Sequence, residues 1–278
     1  MPTRVTYITD PACAASWGVE PMVRRLMAEF GDQLQFTYVM GGLAREWGPG
    51  DHPAQMTNWL EQAERSRMPF DPLIWARSPL RSSYPASMAV KAATDQGRAE
   101  PYLRALREGI FCERRKLDTP DALTDVAARV GLNVDRFKLD VASNAVVEAF
   151  GNDLEIARDV PEAARAAGLV AVAAGKERVP LPTLYFTGED GARHDVYGPA
   201  PYADYREAAT QAGATPQSAG DLGPQQALAR FGRMATREIE EVCGLKGPRA
   251  EGELWQLALD FEVKPTRVLT GWLWELVP

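Results

Sequence analysis

Thiols and imidazoles are scarce in this chain. Cys13, Cys112 and Cys243 are its only cysteines, His52 and His194 its only histidines. Three dispersed cysteines cannot build a disulfide framework, and without close Cys/His pairs no metal site is expected. Cations do not dominate either: 31 Lys and Arg stand against 38 Asp and Glu, a formal net charge of −7. A chain of that sign has no global basic surface for nucleic acid. Long apolar runs are missing, so nothing matches a membrane span. The first residues lack the basic-then-apolar pattern of a secretory leader, so a cytoplasmic location with reduced thiols is expected.

What is present is an ordinary globular composition, 45% hydrophobic and 25% charged, with length for one large domain or two. The most informative stretch comes first. Residues 4–9 alternate and are β-branched or aromatic, which reads as a strand. Asp10-Pro11 ends it, because proline fixes φ and pushes the preceding residue toward extended geometry. Residues 14–30 then carry Trp17, Met22, Leu26 and Met27 at roughly helical spacing. Cys13 therefore falls where a strand hands over to a helix start, and the free N–H groups and dipole there favour a thiolate. The plainer reading is a small buried apolar residue after a turn.

Residues 34–40 form a second strand ended by Gly41-Gly42, giving a βαβ unit. From about 44 to 168 the pattern is helical. Residues 51–66 place Met56, Trp59, Leu60 and Ala63 on one face, and prolines 69, 72 and 79 punctuate the next connection. Helices follow over 84–97, 99–112, from Pro120, over 134–150 and over 151–168. A hairpin of 182–186 and 193–197 leads to a helix over 202–212, and 211–224 is a small, polar linker. Beyond it come helices over 225–233, 235–243 and 249–261, the last turning Leu254, Trp255, Leu257, Ala258 and Phe261 inward, then a hairpin over 266–276. Three helices and a hairpin are winged-helix-like. Glu251, Glu253, Asp260 and Glu262 against Arg249 would repel phosphate, so this segment reads as a protein contact or as packing, with Trp272 and Trp274 in the core.

The opening strand, Asp10-Pro11, Cys13, Ser16, Trp17 and Glu20-Pro21 together resemble the active-site segment of the DsbA/FrnE branch of thioredoxin-like proteins. Ser16 stands where that branch carries a second cysteine. The resemblance covers roughly residues 3–212. It implies an α/β fold class, a thioredoxin-like fold over 1–214 interrupted by an all-α insertion at about 44–168; the three helices and hairpin read above add a small winged-helix-like domain over 222–278. It further implies that Pro182 is cis beside Cys13 and that the Leu181 backbone pairs with a bound peptide or thiol, as an added strand would. From the residues alone, Leu181-Pro182 is equally an X-Pro step opening an edge strand. The implied catalytic residues are Cys13, Ser16 and Pro182; the implied substrate contacts are Pro11, Trp17 and Leu181.

A dithiol oxidase needs a second thiol to resolve its mixed disulfide, and Ser16 cannot resolve. Cys13 is then expected to act as a monothiol nucleophile of the DsbA type, released by a second thiol. Ser16 can hydrogen-bond the thiolate. Cys112 is a conceivable distal resolver, although packing explains it better, and Cys243 reads as packing. No cofactor is required; a low-molecular-weight thiol is the one candidate. Related glutathione-dependent isomerases also keep a serine at this helix start, but residues 197–202 lack their Gly-Gln-Asp-Arg pattern. The tail also looks like that of SpxH-type adaptors. Thiol–disulfide oxidoreductase, protein-binding adaptor and thiol-dependent isomerase or transferase are therefore the expected functions, in that order. The expected partner is a protein or a small thiol rather than nucleic acid or membrane.

Overall fold

A computed structural model describes residues 2–217 and 222–277. Its strands are β1 (Thr3–Thr9), β2 (Leu34–Met40), β3 (Ala171–Ala173), β4 (Lys176–Arg178), β5 (Thr183–Thr187), β6 (Arg193–Tyr197), β7 (Met234–Ala235), β8 (Val263–Val268) and β9 (Gly271–Leu276). The helices begin with α1 (Ala14–Gly18) and α2 (Glu20–Phe30). Between β2 and β3 lie α3 (His52–Ser66), α4 (Ile74–Arg77), α5 (Tyr84–Thr94), α6 (Ala99–Phe111), α7 (Pro120–Arg129), α8 (Val134–Val141), α9 (Asn144–Arg158) and α10 (Glu162–Ala166). The chain closes with α11 (Tyr202–Gln211), α12 (Pro224–Phe231), α13 (Thr236–Val242) and α14 (Pro248–Leu259).

The central sheet has the order β2-β1-β5-β6, with β2 parallel to β1 and both later neighbours antiparallel. This is the thioredoxin-like arrangement, split by helices. Strand alternation gives each face its own core. Val5, Tyr7, Leu184 and Phe186 pack with Leu26 and Phe30 of α2 and Tyr205 of α11. Ile8, Val39 and Tyr185 sit in a second cluster that contains Cys13 and Leu181. The register pairs Ile8 with Thr183, so the residues just beyond β1 meet those just before β5. That register builds the site.

Several expectations need correction. The first helix is two helices, because Pro21 has no N–H to continue the ladder from α1 into α2. The expected helices over 134–150 and 151–168 are α8, α9 and α10; the break comes at Ser143, whose hydroxyl caps Val146 N–H at 3.2 Å, while Gly151 lies inside α9. The hairpin β3–β4 was not expected at all. Its turn uses Ala174 and Gly175, both at positive φ, and only the glycine marks it in the sequence. Leu60 is 48% exposed, off the buried stripe that Trp59 occupies.

The C-terminal residues fold as three helices and a hairpin in the expected order, and β7 adds a third strand, β7-β9-β8. Trp274 is fully buried, but Phe261 is not inward: it follows the end of α14 at positive φ and is 84% exposed. Ala235, Val268 and Leu273 share one core with Trp17, Trp59 and Phe111 of the preceding segment. Of the expected linker, 218–221 lie outside the described residues. Its earlier part is pinned: Gln217 N–H donates to Glu29 O at 2.9 Å and the Gln33 side chain brackets Thr215.

Candidate functional site

Cys13 is the N-cap residue of α1, and its Sγ accepts from the Ser16 amide at 3.4 Å. The Leu181–Pro182 peptide bond is cis. The Leu181 carbonyl faces Cys13 Sγ at 3.8 Å, accepting from the thiol across 168 residues of sequence. Cys13, Ser16, Leu181 and Pro182 are thus brought together. Gly41 and Gly42 let the neighbouring loop approach: a methyl group at Gly41 would fall 2.7 Å from Leu181 Cδ2, and Gly42 has φ +61.

Asp10 anchors the turn before Cys13. One oxygen accepts from Ala12 N–H at 2.9 Å; the other accepts from Leu43 N–H at 2.8 Å and from the Ser83 and Ser87 hydroxyls. Pro11 is buried in this turn and offers no open contact surface.

The ionisation of Cys13 differs from the sequence-based expectation. The residue is 4% exposed. Burial pushes its thiol up; the Ser16 hydroxyl and amide and the Arg178 cation pull back, Asp10 opposes them, and the balance stays above the ordinary thiol value. The physical reason is that α1 has only five residues, too short for a strong dipole, while desolvation of a sulfur among hydrocarbon is large. Ser16 Oγ is buried with no hydrogen-bond partner among the described residues, so the hydroxyl remains available to a thiolate.

Trp17, expected beside the thiol, belongs to the other core. It stacks on Phe111 with centroids 5.8 Å apart, donates Nε1–H to Pro69 O at 2.9 Å and carries Arg104 over its ring. Fully buried, it supports α1 from behind and does not form a substrate wall. Cys112 shares that core, its thiol donating to the same Pro69 carbonyl at 3.5 Å, and burial pushes it well up. Cys243 is half-buried and its thiol is pushed up to about 11 by desolvation.

One residue near the site escaped the sequence reading. Arg178 ends β4 and is 7% exposed, yet among the described residues its guanidinium donates one hydrogen bond, from Nη1 to Val179 O at 2.8 Å, and its Nε is buried without a partner. The unrecognised hairpin hid it. Among the described residues no helix is long and apolar enough to cross a membrane, and no group of His, Cys, Asp and Glu is placed to hold a metal.

This geometry can be set beside known proteins. The chain is 25% identical over 284 residues to the ClpXP adapter protein SpxH of Halalkalibacterium halodurans, a match covering 98% of this chain and 88% of that one. Among solved structures it resembles the cytosolic disulfide reductase DsbM from Pseudomonas aeruginosa, with a TM-score of 0.57, 21% identity and coverage of 75% of this chain and 98% of that one. It also resembles a protein disulfide isomerase candidate from Nitrosomonas europaea, with a TM-score of 0.61, 16% identity and coverage of 76% and 97%. A family model described as Thioredoxin matches residues 6–163, from inside β1 through the insertion. That span is more than half of the chain, and the chain belongs to this thioredoxin family.

Proposed function

We propose that the site performs DsbA-type thiol–disulfide exchange with Cys13 as its single nucleophile. The observation that carries this reading is the sulfur held against the carbonyl that precedes cis-Pro182. The Cys13 thiolate attacks one sulfur of a partner's disulfide; a Cys13–partner S–S bond forms, the partner's S–S bond breaks and the other partner sulfur leaves as thiolate. A low-molecular-weight thiol, as its thiolate, then attacks the partner's sulfur and returns Cys13 as thiolate. Leu181 N–H has no partner among the described residues, which suits strand-like pairing with an extended peptide. Because the thiol is buried and raised, exchange requires the partner to uncover it.

The test is incubation of the full chain with glutathione disulfide, followed by mass analysis. A glutathione adduct on Cys13, absent in Cys13→Ser and removed by excess thiol, is the expected result. No adduct after prolonged incubation, with glutathione disulfide or with a peptide disulfide able to lie along the Leu181 edge, would reject the reading.

A specific observation also favours an adaptor role, in which the same face binds a client protein. The SpxH relative matches along 98% of this chain, whereas the solved structures named above cover about three quarters of it. Under that reading Cys13→Ser leaves ClpXP-dependent loss of a bound client unchanged, whereas under the first it stops exchange.

A further inference from the structure

The guanidinium of Arg178 is a cation taken out of water without a direct ion-pair partner among the described residues. No carboxylate lies within ion-pair distance of it among the described residues, and the one hydrogen bond it makes is to a neighbouring carbonyl. An uncompensated buried charge is costly, so its persistence calls for a group that can carry the opposite sign. Its surroundings narrow the choice. Val179, the next residue, packs in the same cluster as Cys13 and Leu181, and the charged forms of Cys13, Asp10 and Tyr84 are the groups whose fields reach it.

Asp10 acts on Arg178 only from beyond ion-pair distance, and its two oxygens already accept from two amides and two hydroxyls. Tyr84, on α5, brings a phenol and no carboxylate. The second buried cation near the sulfur, Arg107 of α6, is engaged as well: it pairs with Glu20 and donates to Thr9 Oγ1. Tyr185 of β5 packs in the Cys13 cluster and is held as a phenol by burial. That leaves the sulfur.

We propose that Arg178 is the counter-ion of the Cys13 thiolate, a positioning residue that waits unpaired while the thiol is protonated and is satisfied when the sulfur ionises. The inference deepens the exchange reading and rests on it for its purpose. In the resting chain the thiol proton points to Leu181 O; when an approaching partner occupies that region the proton leaves to solvent, and the thiolate remains against a fixed positive charge. The same arrangement would hold the sulfur ionised as the leaving group when the mixed disulfide is cleaved.

The experiment reads the sulfur directly. Thiolate absorbance near 240 nm is titrated in the full chain, in Arg178→Gln and in Arg178→Lys, each with its own Cys13→Ser version subtracted. Removing the charge is expected to cut the Cys13 thiolate fraction at a given pH below its midpoint about tenfold, as an opposite charge moves a thiol by a unit or more, and Lys is expected to restore most of it. An unchanged midpoint in folded Arg178→Gln would overturn the inference. Should that variant fail to fold, the wild-type chain decides: with arginine labelled at 13Cζ, the Arg178 resonance must shift with the midpoint of Cys13 and lose that step in Cys13→Ser. No such step would overturn it equally. Neither readout uses turnover. A coupled pair in a chain that never forms a mixed disulfide would therefore reject exchange alone, and an uncoupled pair in a chain that does would reject only the role of Arg178.

Discussion

Arg104 of α6 holds Glu238 of α13 with two hydrogen bonds, Nη1 to Oε1 at 2.5 Å and Nη2 to Oε2 at 2.8 Å. Glu238 is fully buried, and its Oε2 also accepts from Ala235 N–H. The helical insertion and the C-terminal segment are thereby joined by a desolvated ion pair seated over Trp17. Taking one partner away strands the other, so Glu238→Gln is expected to cost about 3–5 kcal/mol, read as a lower urea midpoint. The double change Arg104→Met with Glu238→Leu should lose less than either single change adds up to, because neither charge is left alone. Simple additivity would show that the pair is not coupled.

Acid should loosen the same region through Glu20. Burial alone would raise that carboxyl, but Arg107, Arg104 and Arg24 outweigh it and hold it below the usual carboxylate range. The folded chain then binds fewer protons than the unfolded one between the two pKa values, so stability falls as pH drops. The contribution is complete above the unfolded value, about 4.3, and is lost as pH passes down through the folded value. Denaturant midpoints at pH 6 and near pH 3 should differ less in Glu20→Gln than in the wild type.

Gly41→Ala should disturb the site without touching its chemistry. The added methyl would lie 2.7 Å from Leu181 Cδ2 and 3.2 Å from Cδ1, so the Leu181 side chain must move. Overpacking of this kind costs about 1–3 kcal/mol. Faster iodoacetamide labelling of Cys13 is expected, because Leu181 helps to bury it. Unaltered labelling would mean that Leu181 does not limit access.

Labelling of wild-type Cys13 should be slow at neutral pH and rise only above the ordinary thiol range, since the thiol is pushed up by burial. Fast labelling at pH 6 would contradict the burial described above. The comparison is made with Cys112 and Cys243 replaced by Ala, so that one thiol reports.

Ser16→Cys would restore the second thiol of a Cys-x-x-Cys turn. Diamide is expected to remove both thiols of that pair by an internal disulfide, seen as loss of two hydrogens by mass, whereas the wild-type turn carries Ser16 in place of the second thiol. Two free thiols after oxidation would show that the turn cannot close.

Much of this protein could be read locally. Alternation from Val5 to Ile8, the Asp10-Pro11 stop and the position of Cys13 define a strand, a turn and a cap, because each depends on residues within a few positions. The hairpin of β5 and β6 and the run of insertion helices follow from the same local rules. What the sequence could not decide was the state of the sulfur. That depends on Leu181, brought in from 168 residues away by the pairing of Ile8 with Thr183, and on the hydrocarbon of Ala157, Val160 and Val179 that closes over it. Desolvation and charge act through space, so the unpaired Arg178 and the raised thiol emerged only when distant strands were placed side by side.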